Sequence, residues 1–274
     1  MDSIEIRSYS HCVRNHIVDS HVDEWRVRSA NKQFLMAVID TLQGDDGVGL
    51  TVEWLSDSQT LKDLEKDFLI ATKMSELTAD DHLSVRTSTE TAGNTPTVLL
   101  SPEKAVSLLP VHGNEAVQIE ITNEAVTERL WEKYDNEWEI AIPVSVDTPP
   151  YSRLLSLAEH NLGTDVKTDL DNAYGAIESR APDDRPEPVT VGLLVGAKHD
   201  LLLRDVVEWA ETSTLATQGT VSKLKQQLED VGVVSTTSEN IGVGRPRQRL
   251  TLAKETFESL SSDELVANVQ SVLP

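Results

Sequence analysis

The sequence predicts an α/β N-terminal domain with a mixed sheet, followed by a C-terminal winged helix-turn-helix of the α+β class. Three observations carry that expectation. Strand-like and helix-like segments alternate over residues 1–180. Ser179-Arg-Ala-Pro-Asp-Asp-Arg-Pro-Glu-Pro188 then packs three prolines and five charges into ten residues. That composition suits neither helix nor central strand, so 181–188 reads as a linker and Asp183-Asp184 as solvated charge. Beyond it, two helical periodicities around a tight turn run into two alternating segments with a cationic connection.

In the first 24 residues only Ile4 and Ile6 stand out, as an edge strand. Leu50-Thr-Val-Glu-Trp54 alternates as a half-buried strand. Asp57 or Ser58 caps a helix through Leu61, Leu64, Phe68, Ala71, Met74 and Leu77. Strand-like segments follow at Leu83–Thr87, Thr97–Leu100, Ala105–Leu109 and Val117–Ile121. Thr122 opens a helix to about Tyr134, and Tyr151–His160 and Asp165–Glu178 read as two more, divided by Gly163.

In the C-terminal module at 189–254, Val191, Leu194 and Val195 suit a short buried helix. Leu201–Glu211 turns Leu202, Val206 and Trp209 toward a core, and Leu215 plugs the turn after it. Thr217 caps a helix whose apolar positions are Val221, Leu224, Leu228 and Val231, and Gly232 supplies a left-handed end. Val233-Val-Ser-Thr-Thr-Ser-Glu239 and Gln248-Arg-Leu-Thr-Leu-Ala253 read as strands, joined by Gly242-Val-Gly-Arg-Pro-Arg247. The last segment, 255–274, holds a capping box at Ser261-Ser-Asp-Glu264 and a stripe of Leu265, Val269 and Val272. That stripe serves equally a dimer contact or packing on its own module.

Charge sharpens this picture. The 274 residues hold 46 Asp or Glu against 24 Lys or Arg, a formal charge of −22. Acids scattered through every segment, with 13 Arg against 11 Lys, favour a surface adapted to molar salt over one that repels acidic partners. Yet Pro188 to Ala253 is neutral, seven acids against seven bases, and Asn240 to Ala253 has three arginines and no acid. A cationic hairpin beside an exposed polar helix points to double-stranded DNA. Gln218, Thr220, Ser222, Lys223, Gln226 and Lys225 are expected outward on the second helix, Gln toward adenine and Lys toward guanine or phosphate. Arg245, Arg247 and Arg249 suit phosphate or a narrow minor groove. With about five phosphate contacts, a tenfold rise in salt lowers affinity by roughly four to five orders of magnitude. Base contacts and a homodimer must then carry the affinity.

No catalytic constellation emerges. His11, Cys12, His16 and His21 resemble a metal cluster, but five-residue steps turn a helix by about 140° each, so they read as surface histidines. Gly44-Asp-Asp-Gly-Val-Gly49 lacks the lysine of a phosphate loop and reads as a plain loop. A single cysteine excludes an internal disulfide. No stretch reaches the roughly 18 apolar residues of a membrane span, and no leader is visible, so a soluble cytoplasmic protein without membrane contact is expected.

The chain resembles the TbsP-like transcriptional regulators of haloarchaea. The resemblance rests on Asp205-Val-Val-Glu-Trp-Ala210, Thr220-Val-Ser-Lys-Leu-Lys225, Leu228-Glu-Asp-Val-Gly-Val233 and Ile241-Gly-Val-Gly-Arg-Pro-Arg-Gln-Arg-Leu250. Weaker likeness covers Phe68–Thr72, Leu83–Arg86, Val98–Ser101 and Thr148–Ser152, whereas the first 45 residues look unlike the family. It implies a DNA-binding regulator with an N-terminal regulatory domain. The expectation is therefore a non-enzymatic, cofactor-free homodimer that reads a two-fold site. Its larger domain would take a small-molecule or protein effector or mediate assembly. The rival readings are an adaptor whose winged helix docks on transcription machinery and an enzyme hidden in the α/β domain.

Overall fold

The computed structural model describes residues 6–88, 96–178, 185–239 and 246–270. Ile4, Arg245, Val272, Asp183-Asp184 and most of the glycine-rich wing loop lie outside them. The chain divides into two compact units between Asp147 and Thr148. This corrects the expected boundary at 181–188.

The first unit runs β1 (Ile6–Ser8), α1 (Tyr9–Val13), a π-helical turn Arg14–Val18, β2 (Glu24–Arg28) and α2 (Lys32–Gln43). It continues through β3 (Thr51–Ser56), α3 (Ser58–Glu65), α4 (Phe68–Ala79), β4 (Leu83–Thr87), β5 (Thr97–Leu100) and β6 (Ala105–His112). β7 (Glu115–Ile121), α5 (Glu124–Ile140) and β8 (Ile142–Pro143) complete it. Among the described residues the strands form one mixed sheet, ordered β1-β7-β6-β5-β2-β3-β4-β8, with β2, β3 and β4 parallel and the other pairs antiparallel. Trp25, Val27, Val52 and Trp54 pack with Phe34, Leu35, Ile39 and Met74 on one face. The other face receives α5 through Leu55, Leu100, Ala105 and Tyr134.

Several elements depart from the sequence expectation. The long helix from Ser58 is two helices. Asp67 closes the first against Leu64 O and accepts from Ile70 N to start the second. α5 runs six residues past Tyr134, because polar Glu137 is buried on Arg28 and Ser88, and Arg86 donates to Trp138 O. β2 and α2 were not read, although Phe34, Leu35, Val38, Ile39 and Leu42 carry helical spacing. The Gly44–Gly49 loop holds a short 3-10 turn, Asp45–Gly47, where a Cβ on Gly47 would lie 2.5 Å from Leu42 backbone.

His16 also departs from expectation: it is buried, not at the surface. Its Nε2 lies 2.9 Å from Gln118 Oε1, and its Nδ1 lies 3.4 Å from the Lys104 ammonium. Burial pushes its imidazole below the ordinary 6.5, against the raising effect of Gln118. The folded unit therefore prefers the neutral ring, and that preference contributes stability above about pH 6.5 which is lost as pH falls through the lower folded value. Denaturation midpoints measured across this range should decline for the wild type, and His16→Gln should flatten that part of the decline.

The second unit comprises α6 (Tyr151–Leu162), α7 (Thr164–Glu178), α8 (Pro188–Lys198), α9 (Leu203–Thr212) and α10 (Gln218–Asp230). β9 (Val234–Glu239), β10 (Arg247–Leu252), α11 (Glu255–Glu258) and α12 (Ser262–Gln270) follow. The helices α6 and α7 belong here, not to the N-terminal domain. Trp209 Nε1 donates to Leu154 O at 3.3 Å, and Tyr174 donates its hydroxyl proton to Pro188 O at 3.0 Å. Pro188 itself is not linker but the first residue of α8, where its missing N–H costs nothing.

α8 is buried on all sides from Val189 to Ala197, so it forms the hub of the unit. Its glycines set how closely α9 approaches. A Cβ on Gly192 would fall 2.5 Å from Cζ3 of the Trp209 ring, and one on Gly196 would fall 2.9 Å from Val206 Cγ2. Gly192→Ala should therefore cost roughly 1–3 kcal/mol of stability despite the better helix propensity of alanine, as a urea melt would read.

α12 bears on the two readings of the tail stripe. Ser261 N donates to the Glu264 carboxylate at 3.0 Å, as the capping box requires. Leu265, Val266 and Val269 are then buried, with α12 lying on α7 and α8. Asp169 of α7 holds this corner, 2.8 Å from His199 Nε2 and 3.2 Å from the Lys198 ammonium, which also donates to Ser262 Oγ. Burial alone would raise the Asp169 carboxyl, but hydrogen bonds from His199, Ser262 and Lys198 hold it below the usual range. Of the tail stripe, Leu265 and Val269 are packed within their own unit.

Candidate nucleic-acid interface

Thr217 accepts from Thr220 N, and the Glu211 carboxylate accepts from Gln218 N at 3.0 Å, so two orphan donors at the start of α10 are satisfied. The apolar face of α10 is Val221, Leu224 and Leu228, buried against α8, α9 and β9. Gln218, Ser222 and Gln226 follow one another at four-residue steps on the opposite face and are exposed, as is Lys223. Lys223 has no ion pair among the described residues.

After Gly232, whose φ of +70° ends α10 in the left-handed region, β9 and β10 pair antiparallel with Arg247 opposite Glu239. Leu202 makes a single antiparallel bridge to Arg249 at the edge of the hairpin. α8, α9, α10 and this hairpin make up a winged helix-turn-helix. Between α9, α10 and the hairpin lies an open cleft of about 890 Å³, lined by Gln218 and Ser222 on one side and Pro246, Arg247 and Gln248 on the other. Arg204, Glu208 and Glu211 of α9 form its floor.

The structure thus brings Gln218, Ser222 and Arg247 together, with Lys223 and Gln226 exposed alongside. Gln226 donates to Asp230 at 2.9 Å, a contact it can exchange without cost to the fold. Thr220 is half-buried, and its hydroxyl lies 3.2 Å from that of Thr217, so it serves the cap.

Two expected contacts are placed elsewhere. Lys225 is buried, four residues after Val221 and three before Leu228, with its ammonium 2.9 Å from Glu229. Its apolar stem widens the helix's buried face, which an apolar-only stripe had left too narrow. Arg249 binds both Glu239 oxygens, at 2.6 and 2.8 Å, and donates to Asp200 O. That fork holds the Glu239 carboxyl below its ordinary range. Because Glu239 is engaged in this way, Arg247 beside it has no acidic partner among the described residues.

Sequence reasoning missed Arg204. It is largely exposed as the second residue of α9, and its one ion pair among the described residues is with its neighbour Asp205, at 3.4 Å. Its signal was a lone arginine at a helix start in an acidic chain. The acids Glu208 and Glu211 were also missed, and they balance Arg204 and Arg247 within the cleft.

In the other unit, a cleft of about 690 Å³ is lined by Glu103, Glu124, Glu128 and Glu132 around Trp131. Among the described residues, no helix is long and apolar enough to cross a membrane.

Two family models cover the chain. "Transcriptional regulator TbsP-like, N-terminal" matches residues 3–149, and "Transcriptional regulator TbsP-like, C-terminal HTH domain" matches residues 150–270. Their junction falls within two residues of the division between the compact units. Among solved structures the chain is similar to TrmBL2, described as an archaeal chromatin protein with a novel mode of DNA binding. That likeness has 15% identity and a TM-score of 0.36, covering 53% of this chain and 54% of that one. No curated protein matches the sequence. With both halves matched in order, first to last, this chain belongs to the TbsP-like transcriptional regulators.

Proposed function

We propose that the chain is a sequence-specific DNA-binding regulator that acts as a homodimer, with α10 in the major groove and the hairpin arginines on the backbone or in the minor groove. One observation carries the reading: an uncovered polar face on α10, with Arg247 beside it and no acid pairing that arginine among the described residues. Gln218 reads a base edge, Lys223 and Arg204 bind phosphate, and Ser222 adapts to either. Lys225 and Arg249 support the scaffold. The α/β unit mediates assembly or senses an effector that changes operator affinity. The support for this is its three parallel strands, since open α/β sheets bind ligands beyond their carboxyl ends.

Footprinting on the chain's own upstream region in molar potassium tests this reading. Lys223→Ala should weaken binding uniformly across sequences and reduce the salt slope by about one. Gln218→Ala should cost roughly 1–3 kcal/mol at one base position and relax its specificity. Arg245→Ala with Arg247→Ala should cost a few kcal/mol at most. Lys225→Met should leave affinity unchanged. Protection that survives the first three variants equally, or the absence of any protected site, overturns the reading.

One observation favours the adaptor alternative: Glu208 and Glu211 line the same cleft and suit a cationic protein segment better than phosphate. A footprint excludes a pure adaptor.

A further inference from the structure

The sheet of the first unit is covered unevenly on its α5 side. Register shows which side chains share that face: Leu100 lies opposite Ala105, and Ala105 opposite Ile121, all packed toward Tyr134. Two-residue steps along the strands place Ser107, Leu109, Val117 and Ile119 on the same face, and Ile6 lies opposite Val117. This end is left bare: Ile6 is 54% exposed, Ile119 47% and Leu109 40%. Among the described residues, no charged side chain stands between them. Glu115 and His112, paired with each other, mark its far end.

We propose that this strip joins two copies of the chain face to face about a two-fold axis. A two-fold contact sets one patch against itself, so a charged patch meets its own sign. At a formal charge of −22, most of this surface repels its own copy, and an uncharged apolar strip is self-complementary where an acidic one is not. Its exposed aliphatic area, on the order of a few hundred Å², is in the range that marks interaction sites on monomers. It forms the dry centre of a standard contact of about 800 Å² per partner, with Glu115 and His112 in the polar rim. The other apolar stripe that could have joined copies, on α12, is spent inside its own unit. The purpose of such a dimer rests on the two-fold DNA reading above.

Sedimentation equilibrium of the full chain in molar potassium chloride, without DNA, tests the proposal. The wild type should be a dimer at micromolar concentration. Ile119→Asp and Leu109→Asp, made separately, should each weaken dimerisation about a hundredfold or more, because each buries an unpaired carboxylate. Val48→Asp, at a position 83% exposed before β3, should not change it. Circular dichroism checks folding, and Ile6→Asp probes the same strip from a three-residue edge strand if Ile119→Asp misfolds. A monomeric wild type overturns the proposal, whether the strip is then covered by another part of the chain or by a different protein. A dimer indifferent to the strip variants does so too. A dimer without a footprint sinks the DNA reading alone, and a footprint from a monomer sinks this one and the homodimer in that reading but leaves the DNA contact standing.

Discussion

Trp209→Ala should destabilise the C-terminal unit by about 3–5 kcal/mol, the range for deleting a fully buried large aromatic. The ring is 0% exposed and lies where only a glycine at 192 lets α8 approach, and its N–H reaches Leu154 O on α6. One side chain therefore fastens three helices. Because domains are stable by only about 5–15 kcal/mol, the loss is a large fraction of the whole. Trp209→Phe keeps most of the ring contact and drops the donor, so it should cost nearer 1–2 kcal/mol. Guanidinium melts followed by circular dichroism read both values. A cost below about 1 kcal/mol for the alanine variant would show that α8 and α9 do not depend on this contact for their packing. DNA affinity should fall with the folded fraction, since α10 rests on α8, α9 and β9.

Glu137→Ala should destabilise the N-terminal unit by a similar amount, about 3–5 kcal/mol, because a buried ion pair is costly to break from one side. Glu137 is 3% exposed, with Oε2 3.0 Å from Arg28 Nε and Oε1 accepting from the Ser88 hydroxyl at 2.5 Å. Truncation removes the carboxylate opposite Arg28 and the acceptor for Ser88. Glu137→Gln retains an acceptor for Ser88 and loses only the charge, so it should fall between alanine and wild type. Denaturant melts that place the alanine variant within about 0.5 kcal/mol of wild type would mean that α5 is held by its apolar contacts alone. Those contacts are reinforced by Arg26 over the Trp131 ring, 3.7 Å from its centroid, and by Arg86 over Trp138.

Legibility in the sequence followed the physics of each element. Helices in the C-terminal unit were readable because caps, apolar steps and a left-handed glycine agree: Thr217, Val221, Leu224, Leu228 and Gly232 all act as their types predict. The hairpin is readable from alternation, and its strands lie within one residue of the expected bounds. The site was half legible. Exposure of Gln218, Ser222, Lys223 and Gln226 follows from helical period alone. The burial of Lys225 does not, since a lysine stem counts as polar in any pattern although most of its atoms are methylene. Arg249 looked identical to Arg247 in the sequence. Only the folded hairpin shows that the Glu239 carboxylate, opposite Arg247 in the register, reaches diagonally to Arg249 and leaves Arg247 lining the cleft.

By itself, the sequence determined much of the local order of this protein: where the helices of the C-terminal unit start and stop, which strands alternate, and that one basic hairpin follows a polar helix in an acidic chain. Those are properties of neighbours, set by backbone propensity and side-chain period. Tertiary structure alone decided membership. It put α6 and α7 with the winged helix through Trp209 and Tyr174, buried the tail stripe on α7, and drew His16 into the core. Each of these depends on a partner distant in the chain. A proline-rich stretch marks a change of local conformation, but a domain ends where apolar surface stops being shared.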